Sequence, residues 1–394
     1  MSEPLYLYFE SLNDPLCLID CEHLAESFSV LFPEWCYSVG EHHVTPLITI
    51  EFESGEYRLS TSWSSEVNRY TDKVDILCEL VAQVLLAKSF SDSESLYLHA
   101  ASVVINGKLV VFPSQYRAGK SLLTACLTAA GCRYFCDDVF PLALDECKGK
   151  PLSVAPRLRT PIPDTTDLQS ANFIESHITL QGKRYAYLGL EKELRVAQND
   201  LLDIGAFVLL ERREGIQVQI EELPAAVIFQ QLIKQNFARE IDGSRILSTL
   251  SKAISQAQCV KICYDRTDDA VSLLKDYFSR WPSQSNEAES KPYALELQNR
   301  TSESMAKDCL MQNEGVQKIK IEGESFLTSP DGQSIYHLDM IGSGVWELLT
   351  EPMTKSSIVS ILSTAFPDID KAAIGKDTSK ILVSLRHNSL IKGV

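Results

Sequence analysis

Gly119-Lys120-Ser121 is the string in this chain whose residue types and spacing point most directly to chemistry. An apolar run over 109–112 leads through a short loop into the triplet, and a helical pattern follows at once. In that layout backbone N–H groups of the loop and of the helix N-terminus converge on phosphate oxygens. A lysine in the second place reaches the β- and γ-phosphates of a nucleoside triphosphate, and a serine in the third ligates Mg²⁺. The candidate phosphate-binding residues are therefore Ser114, Gln115, Tyr116, Arg117, Ala118, Gly119, Lys120, Ser121 and Leu122. One element departs from the full pattern: Ser114 stands five positions before Gly119, where the template has glycine. Its Cβ disfavours the positive φ that glycine takes freely. Arg117 brings a charge into the loop that would offset part of the loss.

Asp137-Asp138 end the next strand-like run, 132–136. Phosphoryl transfer needs Mg²⁺ between the β- and γ-phosphates and a group that orients or deprotonates the nucleophile. Two carboxylates at a strand end beside a phosphate loop can serve both needs, and Asp137 and Asp138 are both placed for that. Arg157 and Arg159 lie on one side of an extended segment, and Lys183-Arg184 sits in a polar stretch. Either pair reads as a clamp for phosphate or substrate, or as ordinary surface charge. His99, flanked by Leu98 and Ala100, reads by itself as a core histidine.

The elements that must position these groups alternate strand and helix. Strands are expected over 96–105 and 108–112, joined by the Asn106-Gly107 hairpin signal, and a helix over 120–130 closed by Gly131. Further strands are expected over 132–136, 139–144, 204–211, 216–220 and 258–264, and helices over 225–237 and 268–278. This is an α/β nucleotide-binding core. Before it, 1–91 reads as α+β, with strands over 47–52 and 57–63 and a helix over 74–86. His42-His43 reads there as a solvated loop pair.

Composition bounds the partners. The 394 residues carry a formal net charge of -16, which argues against nucleic acid or an anionic membrane as partner. No signal-peptide pattern opens the chain and no apolar run is long enough for a membrane span, so a cytoplasmic location is expected. Eleven cysteines without a C-x-x-C read as reduced and mostly buried rather than as disulfides or a zinc site.

The block from Leu98 to Leu142, with His99, Gly119-Lys120-Ser121 and Asp137-Asp138, resembles the core of the HPr kinase/phosphorylase-like family. That resemblance implies an ATP- or other NTP-dependent protein or peptide serine/threonine kinase using Mg²⁺. It assigns catalysis to Asp138, Asp137, His99 and Lys120. Asp138 is the general base for the acceptor hydroxyl, Asp137 serves the metal or the histidine network, and His99 orients an aspartate or the phosphate.

Residues 282–314 are polar and without sustained periodicity, and read as a linker. After it, strands are expected over 317–321, 325–328 and 333–338, with a turn at 329–332. Three helices follow: 340–349 capped by Asp339, a second capped by Thr354, and a third over 377–386. The run from Gly332 to Phe366, with Trp346-Glu347-Leu348-Leu349, resembles the PqqD family. The family implies recognition of a precursor peptide's leader in ribosomal peptide natural-product biosynthesis. The leader would add a strand beside Gln333, Ser334, Ile335, Tyr336 and His337 and pack apolar side chains on the last helix. A DNA-binding winged helix is the competing reading of three helices with a hairpin, and the acidic balance opposes it.

The sequence thus predicts an α/β P-loop kinase core, HPr kinase-like, over 96–281, an N-terminal α+β segment over 1–95, and a small α+β winged-helix-like, PqqD-like domain over 315–394. The expected activity is leader-guided phosphorylation of a Ser/Thr hydroxyl in a precursor peptide, with homo-oligomerisation left open. The alternative is a catalytically weak or inactive nucleotide-binding scaffold that delivers the precursor to other enzymes. A kinase of small molecules or of a carrier protein is a third reading.

Overall fold

A computed structural model describes residues 3–41, 44–113, 118–238, 241–281 and 308–394. His42-His43, the loop residues Ser114, Gln115, Tyr116 and Arg117, and 282–307 of the expected linker lie outside the described residues. The chain divides into two units, Met1–Ile241 with Lys252–Trp281, and Asp242–Ser251 with Pro282–Val394.

The first unit opens with β1 (Leu5–Phe9), β2 (Leu16–Ile19), the single-turn α1 (Phe28–Leu31), β3 (Tyr37–Gly40), β4 (Ile48–Glu53), β5 (Glu56–Thr61) and β6 (Ser64–Tyr70). The strands form one sheet in the order β3-β1-β2-β4-β5-β6. Helix α2 (Lys73–Ser91) starts where the Asp72 carboxylate accepts from the N–H groups of Val74 and Asp75, at 2.8 and 3.1 Å. It buries Val74, Ile76, Leu77, Leu80, Val81, Val84 and Leu85, the face the periodicity marks.

This segment is not a separate body. Its core runs on into Tyr97, Leu152, Ala155 and Tyr187. Trp35 Nε1 donates to Leu152 O at 2.6 Å, Ala155 N to Leu31 O at 3.0 Å, and Gln198 N to the Glu34 carboxylate at 2.8 Å. The boundary expected at 95 falls where a short turn joins α2 to the next strand.

Next come β7 (Ser95–Leu98), β8 (Ala101–Ile105), β9 (Lys108–Phe112), α3 (Lys120–Ala129), β10 (Arg133–Cys136), β11 (Phe140–Ala143), β12 (Arg157–Arg159), α4 (Leu168–His177), β13 (Ile178–Gln181), β14 (Tyr185–Leu188), β15 (Ile204–Arg212), β16 (Gln219–Glu222), α5 (Ala225–Gln235), α6 (Gly243–Ser255), β17 (Gln258–Tyr264) and α7 (Thr267–Tyr277). The main sheet has the order β10-β8-β9-β15-β17-β16. Strands β9, β15 and β17 are parallel, while β8 is antiparallel to both β9 and β10. The carboxyl ends of β9 and β10 and the amino end of β8 therefore share one edge of the sheet. That topology brings Gly119, Asp137 and His99 together, since each lies just beyond one of those three ends. Ligand sites of open α/β sheets lie at the carboxyl ends of the strands.

Several boundaries differ from expectation. The single strand expected over 96–105 is two, broken at His99-Ala100. There β7 pairs with β11, β8 pairs with β9 and β10, and His99 N donates to Gln235 O at 2.8 Å. His99 thus stands between strands, not within one. The strand expected over 216–220 is shifted to Gln219–Glu222, where it pairs with β17. The Arg157 segment, read only as extended, belongs to a small antiparallel sheet, β12-β14-β13.

The second unit takes residues 243–251 of α6 and contains β18 (Leu310–Gln312), β19 (Lys318–Ile321), β20 (Glu324–Thr328), β21 (Ile335–Leu338), α8 (Met340–Leu348), α9 (Lys355–Ala365), α10 (Lys371–His387) and β22 (Ile391–Gly393). Asp339 caps α8 by accepting from Gly342 N at 2.8 Å, and Thr354 caps α9 through Ser357 N at 3.2 Å. Leu327, Val345, Trp346, Leu349, Ile358, Leu362, Leu382 and Leu385 make the core. The last helix is longer than expected, beginning after Asp370, which caps it through Ala373 N. Strand β18 falls inside the segment read as linker and pairs with β22, so this fold begins before 315.

Because Trp35 fills the core shared by both halves of the first unit, Trp35→Ala is expected to lower stability by about 3–5 kcal/mol. Denaturant melting followed at residues of β8–β10 should report that loss. An unchanged midpoint there would show that the N-terminal sheet does not support the central one.

Candidate active site

Backbone geometry sets the site before any side chain does. Gly119 is the N-cap of α3 at φ 89°, in the left-handed region that favours glycine. A Cβ there would also lie 3.2 Å from the Tyr264 hydroxyl, which donates to Ala118 O at 3.5 Å. Asp138 has φ 67°, uncommon for a residue with a side chain although Asp tolerates it better than most. Val139 N donates to Asp137 O at 2.8 Å, closing a tight turn that sends the two neighbouring carboxylates in different directions.

The side chains then interlock. Ser121 Oγ donates to Asp137 Oδ1 at 2.9 Å. Arg157 Nη2 donates to Asp138 Oδ2 at 2.5 Å. Lys120 Nζ lies 3.3 Å from His99 Nε2. An ammonium can only donate, so Nε2 is the acceptor and the ring proton sits on Nδ1. The ring also hydrogen-bonds the Asp138 backbone. His99 therefore links the lysine at the start of α3 to the aspartate turn after β10. Leu122, half-buried, packs into the core beneath.

Burial sets the charge states. It pushes the Asp137 carboxyl up, aided by repulsion from Asp138 and opposed by the Ser121 hydrogen bond and the Arg157 charge. Burial lowers His99, as does the Lys120 charge, which favours neutral imidazole. Lys120 is likewise lowered by burial, against the pull of Asp138 and Asp137. Burial works against the Arg157 charge, but Asp138 outweighs it and the guanidinium is held above its usual range.

Among the described residues Asp137 Oδ2 is buried without a hydrogen-bond partner. A buried carboxylate oxygen with no partner is costly, and a hard cation satisfies it. Ser121 and Asp137 thus fit a divalent ion such as Mg²⁺. No cluster of three or more His, Cys, Asp or Glu side chains able to hold a metal occurs among the described residues. Mg²⁺ in nucleotide sites needs only one or two carboxylates, because water and phosphate supply the rest.

The remaining candidates are placed as follows. Arg159 is exposed on β12, two residues from Arg157, and both guanidinium groups lie over the Tyr185 ring, at 6.0 and 5.1 Å from its centroid. Arg184 lies over the same ring at 5.2 Å. The sequence marks the cations but not Tyr185, which gathers them. It also gives no sign that Arg157 pairs with Asp138. In the second unit Ile335, Tyr336 and His337 lie on β21, which ladders with β20 at one border of the sheet β19-β20-β21. Gln333 and Ser334 belong to the preceding turn, closed by Ser329 N to Ser334 O at 2.8 Å, and not to the strand as expected. His337 stacks on Phe326 at 4.8 Å and its Nε2 is 2.6 Å from Glu324 Oε2.

Residues 324–391 match the family model described as coenzyme PQQ synthesis protein D (PqqD). The chain carries a C-terminal PqqD domain. The match bears out the resemblance read in the strand–helix run around Trp346. Solved structures similar to this chain include TbiB1 in complex with the TbiA(beta) leader peptide, with 24% identity, a TM-score of 0.20, and coverage of 21% of this chain and 96% of that one. They also include the Hpr(Ser) kinase/phosphatase from Coxiella burnetii, with 14% identity, a TM-score of 0.25, and coverage of 46% and 90%. No curated protein matches the chain. No helix among the described residues is long and apolar enough to cross a membrane.

The raised Asp137 makes a signed prediction. The folded state holds a proton on Asp137 at pH values where the unfolded chain, titrating near 3.8, has lost it. Stability should therefore fall as pH rises from that unfolded value through the raised one. Asp137→Asn should flatten this part of the profile in thermal melts without Mg²⁺. A wild-type profile identical to the variant's would contradict the burial argument.

Proposed function

We propose that this chain is a Mg²⁺-dependent kinase that captures a ribosomally made precursor peptide by its leader and phosphorylates a Ser or Thr hydroxyl in the core. The observation that supports it best is the meeting of His99, Lys120, Ser121, Asp137 and Asp138 at one sheet edge. The loop before α3 is read as a degenerate P-loop for ATP or another NTP, with the Gly119 turn and the α3 N-terminus facing the phosphates. Lys120 would leave His99 for the β- and γ-phosphates. Ser121 and Asp137 would hold Mg²⁺, whose chemistry when bound is to offset charge developing on the transferred group.

Asp138 would take the proton of the acceptor hydroxyl as the hydroxyl oxygen bonds to the γ-phosphorus and the bridging bond to the β-phosphate breaks. His99, neutral and bonded to the Asp138 backbone, would hold that turn in place. In the second unit, read as winged-helix-like, the leader would extend the sheet beside β21 and rest apolar side chains on α10. The intervening linker would keep the core peptide at high effective concentration near the site.

A second reading, a scaffold with weak or no turnover, draws on two contacts. Arg157 occupies the Asp138 carboxylate and Lys120 is engaged with His99. One assay separates the two. The full chain is incubated with Mg²⁺-ATP and a precursor peptide encoded beside it, and mass spectrometry follows a phosphate-sized mass gain. Transfer is expected, falling about 10²–10⁴-fold in Asp138→Asn and strongly with a leaderless peptide. Absence of transfer by the wild type supports the scaffold. Undiminished transfer by Asp138→Asn removes the base assignment.

A further inference from the structure

A cavity of about 140 Å³ lies beside β10, the border strand of the main sheet, among Val30, Pro33, Phe135, Pro156, Leu190 and Val196. An apolar space of that size takes one benzene-sized group. A leucine or phenylalanine side chain therefore fits, and a tryptophan does not. Among the described residues that line the cavity, Arg195 carries the only charge. Its Nη1 pairs with the Glu34 carboxylate. Glu34 also accepts from Gln198 N at 2.8 Å and from Ser153 Oγ at 3.3 Å. Burial works against the Glu34 charge, but the Gln198 N–H and Arg195 outweigh it, so the carboxyl titrates below its usual range. The ion pair is thus neutral as a whole, and its carboxylate is well supplied with donors. One donor remains: Arg195 Nε is buried without a hydrogen-bond partner. A buried N–H left unpaired is costly. Because Glu34 already offsets the guanidinium charge, the missing partner need not be an anion, and a carbonyl oxygen suffices.

An apolar group of leucine size next to a carbonyl is one residue of a peptide, and position indicates which peptide. Phe135 stands three residues before Asp138, at most about 11 Å of backbone. Pro156 directly precedes Arg157, whose Nη2 donates to Asp138. The cavity is therefore walled by the segments that carry the candidate base and the arginine on it. An extended peptide with its hydroxyl at Asp138 covers the same distance in about three residues. From these placements we infer that the cavity receives one apolar side chain of the acceptor peptide, about three residues from the phosphorylated hydroxyl, with a main-chain carbonyl accepting from Arg195 Nε. This rests on the kinase reading above, but binding and transfer can be measured apart.

The test uses the full chain and short synthetic peptides with a central serine in an asparagine host. Leucine, alanine or tryptophan is placed three residues away on both sides, and binding is followed by fluorescence anisotropy. The leucine peptide is expected to bind at least about tenfold more tightly than the alanine peptide, the scale on which an apolar pocket discriminates. The tryptophan peptide should show no such gain, and the leucine preference should survive high salt, unlike an ionic one. Val30→Phe should abolish the preference by filling the cavity. Ser29→Trp, from the exposed rim, serves as a second blocking variant, and thermal melts establish that each is folded. Arg195→Lys keeps a charge for Glu34 but lacks the second donor, and should weaken the leucine peptide about three- to tenfold. Equal binding of the leucine and alanine peptides by the wild type overturns the pocket. So does a leucine preference that persists in both folded blocking variants, since it would place the side chain elsewhere in the chain. N-acetyl-leucine amide binding as tightly as the leucine peptide would assign the cavity to a free small molecule and overturn the peptide assignment. A leucine preference without phosphate transfer supports the pocket and counts against the kinase reading alone.

Discussion

Two neighbouring carboxylates at the end of β10 are the constraint around which the first unit is organised. Placing an ion out of water costs several kcal/mol even after relaxation, and two of like charge side by side cost more. The fold answers by separating them. Asp138 adopts a left-handed backbone and reaches Arg157, while Asp137 stays buried against Ser121 with its proton affinity raised. Lys120 adds a positive charge nearby, itself weakened by burial and engaged with a neutral His99. The arrangement costs stability, and the proposed phosphate and divalent cation would return part of what burial takes away.

That arrangement depends on contacts far from it in sequence. Arg157 stands on a short strand of the small sheet, and Asp75 of α2 pairs with Arg184 beside it. Helix α2 is part of the N-terminal half, whose core is continuous with Tyr97, Leu152 and Tyr187. The first 91 residues, which carry no chemical motif, thus brace the cations opposite the carboxylates. This gives them a physical role that their composition alone does not suggest.

Much of this was legible in the sequence and the rest was not, for identifiable reasons. Strands 258–264 and 108–112 and the helix after Gly119 follow from apolar runs, the second opened by Asn106-Gly107 and the helix closed by Gly131, which are local signals. The Asn106-Gly107 turn has φ of 47° and 83°, as its residues demand. Gly119-Lys120-Ser121 and Asp137-Asp138 were marked by type and spacing. The break at His99 was hidden, because Leu98, Ala100 and Ala101 are apolar on both sides and only long-range pairing distinguishes β7 from β8. Tyr185 and the Arg157–Asp138 pair were hidden for the same reason: a cross-strand neighbour leaves no mark in the sequence of either strand. In the second unit the caps Asp339 and Thr354 were readable, whereas β18 was missed because its partner, β22, lies about 80 residues away.

The PqqD domain gives the second unit a family, and the proposal for the first unit turns on whether the carboxylate pair and the α3 N-terminus form a nucleotide site. Calorimetric titration of the full chain with ATP, with and without Mg²⁺, tests this most directly. One site is expected, tight only when Mg²⁺ is present, lost in Lys120→Ala and no longer Mg²⁺-dependent in Asp137→Asn. No heat of binding with Mg²⁺, or binding indifferent to both substitutions, would contradict the account.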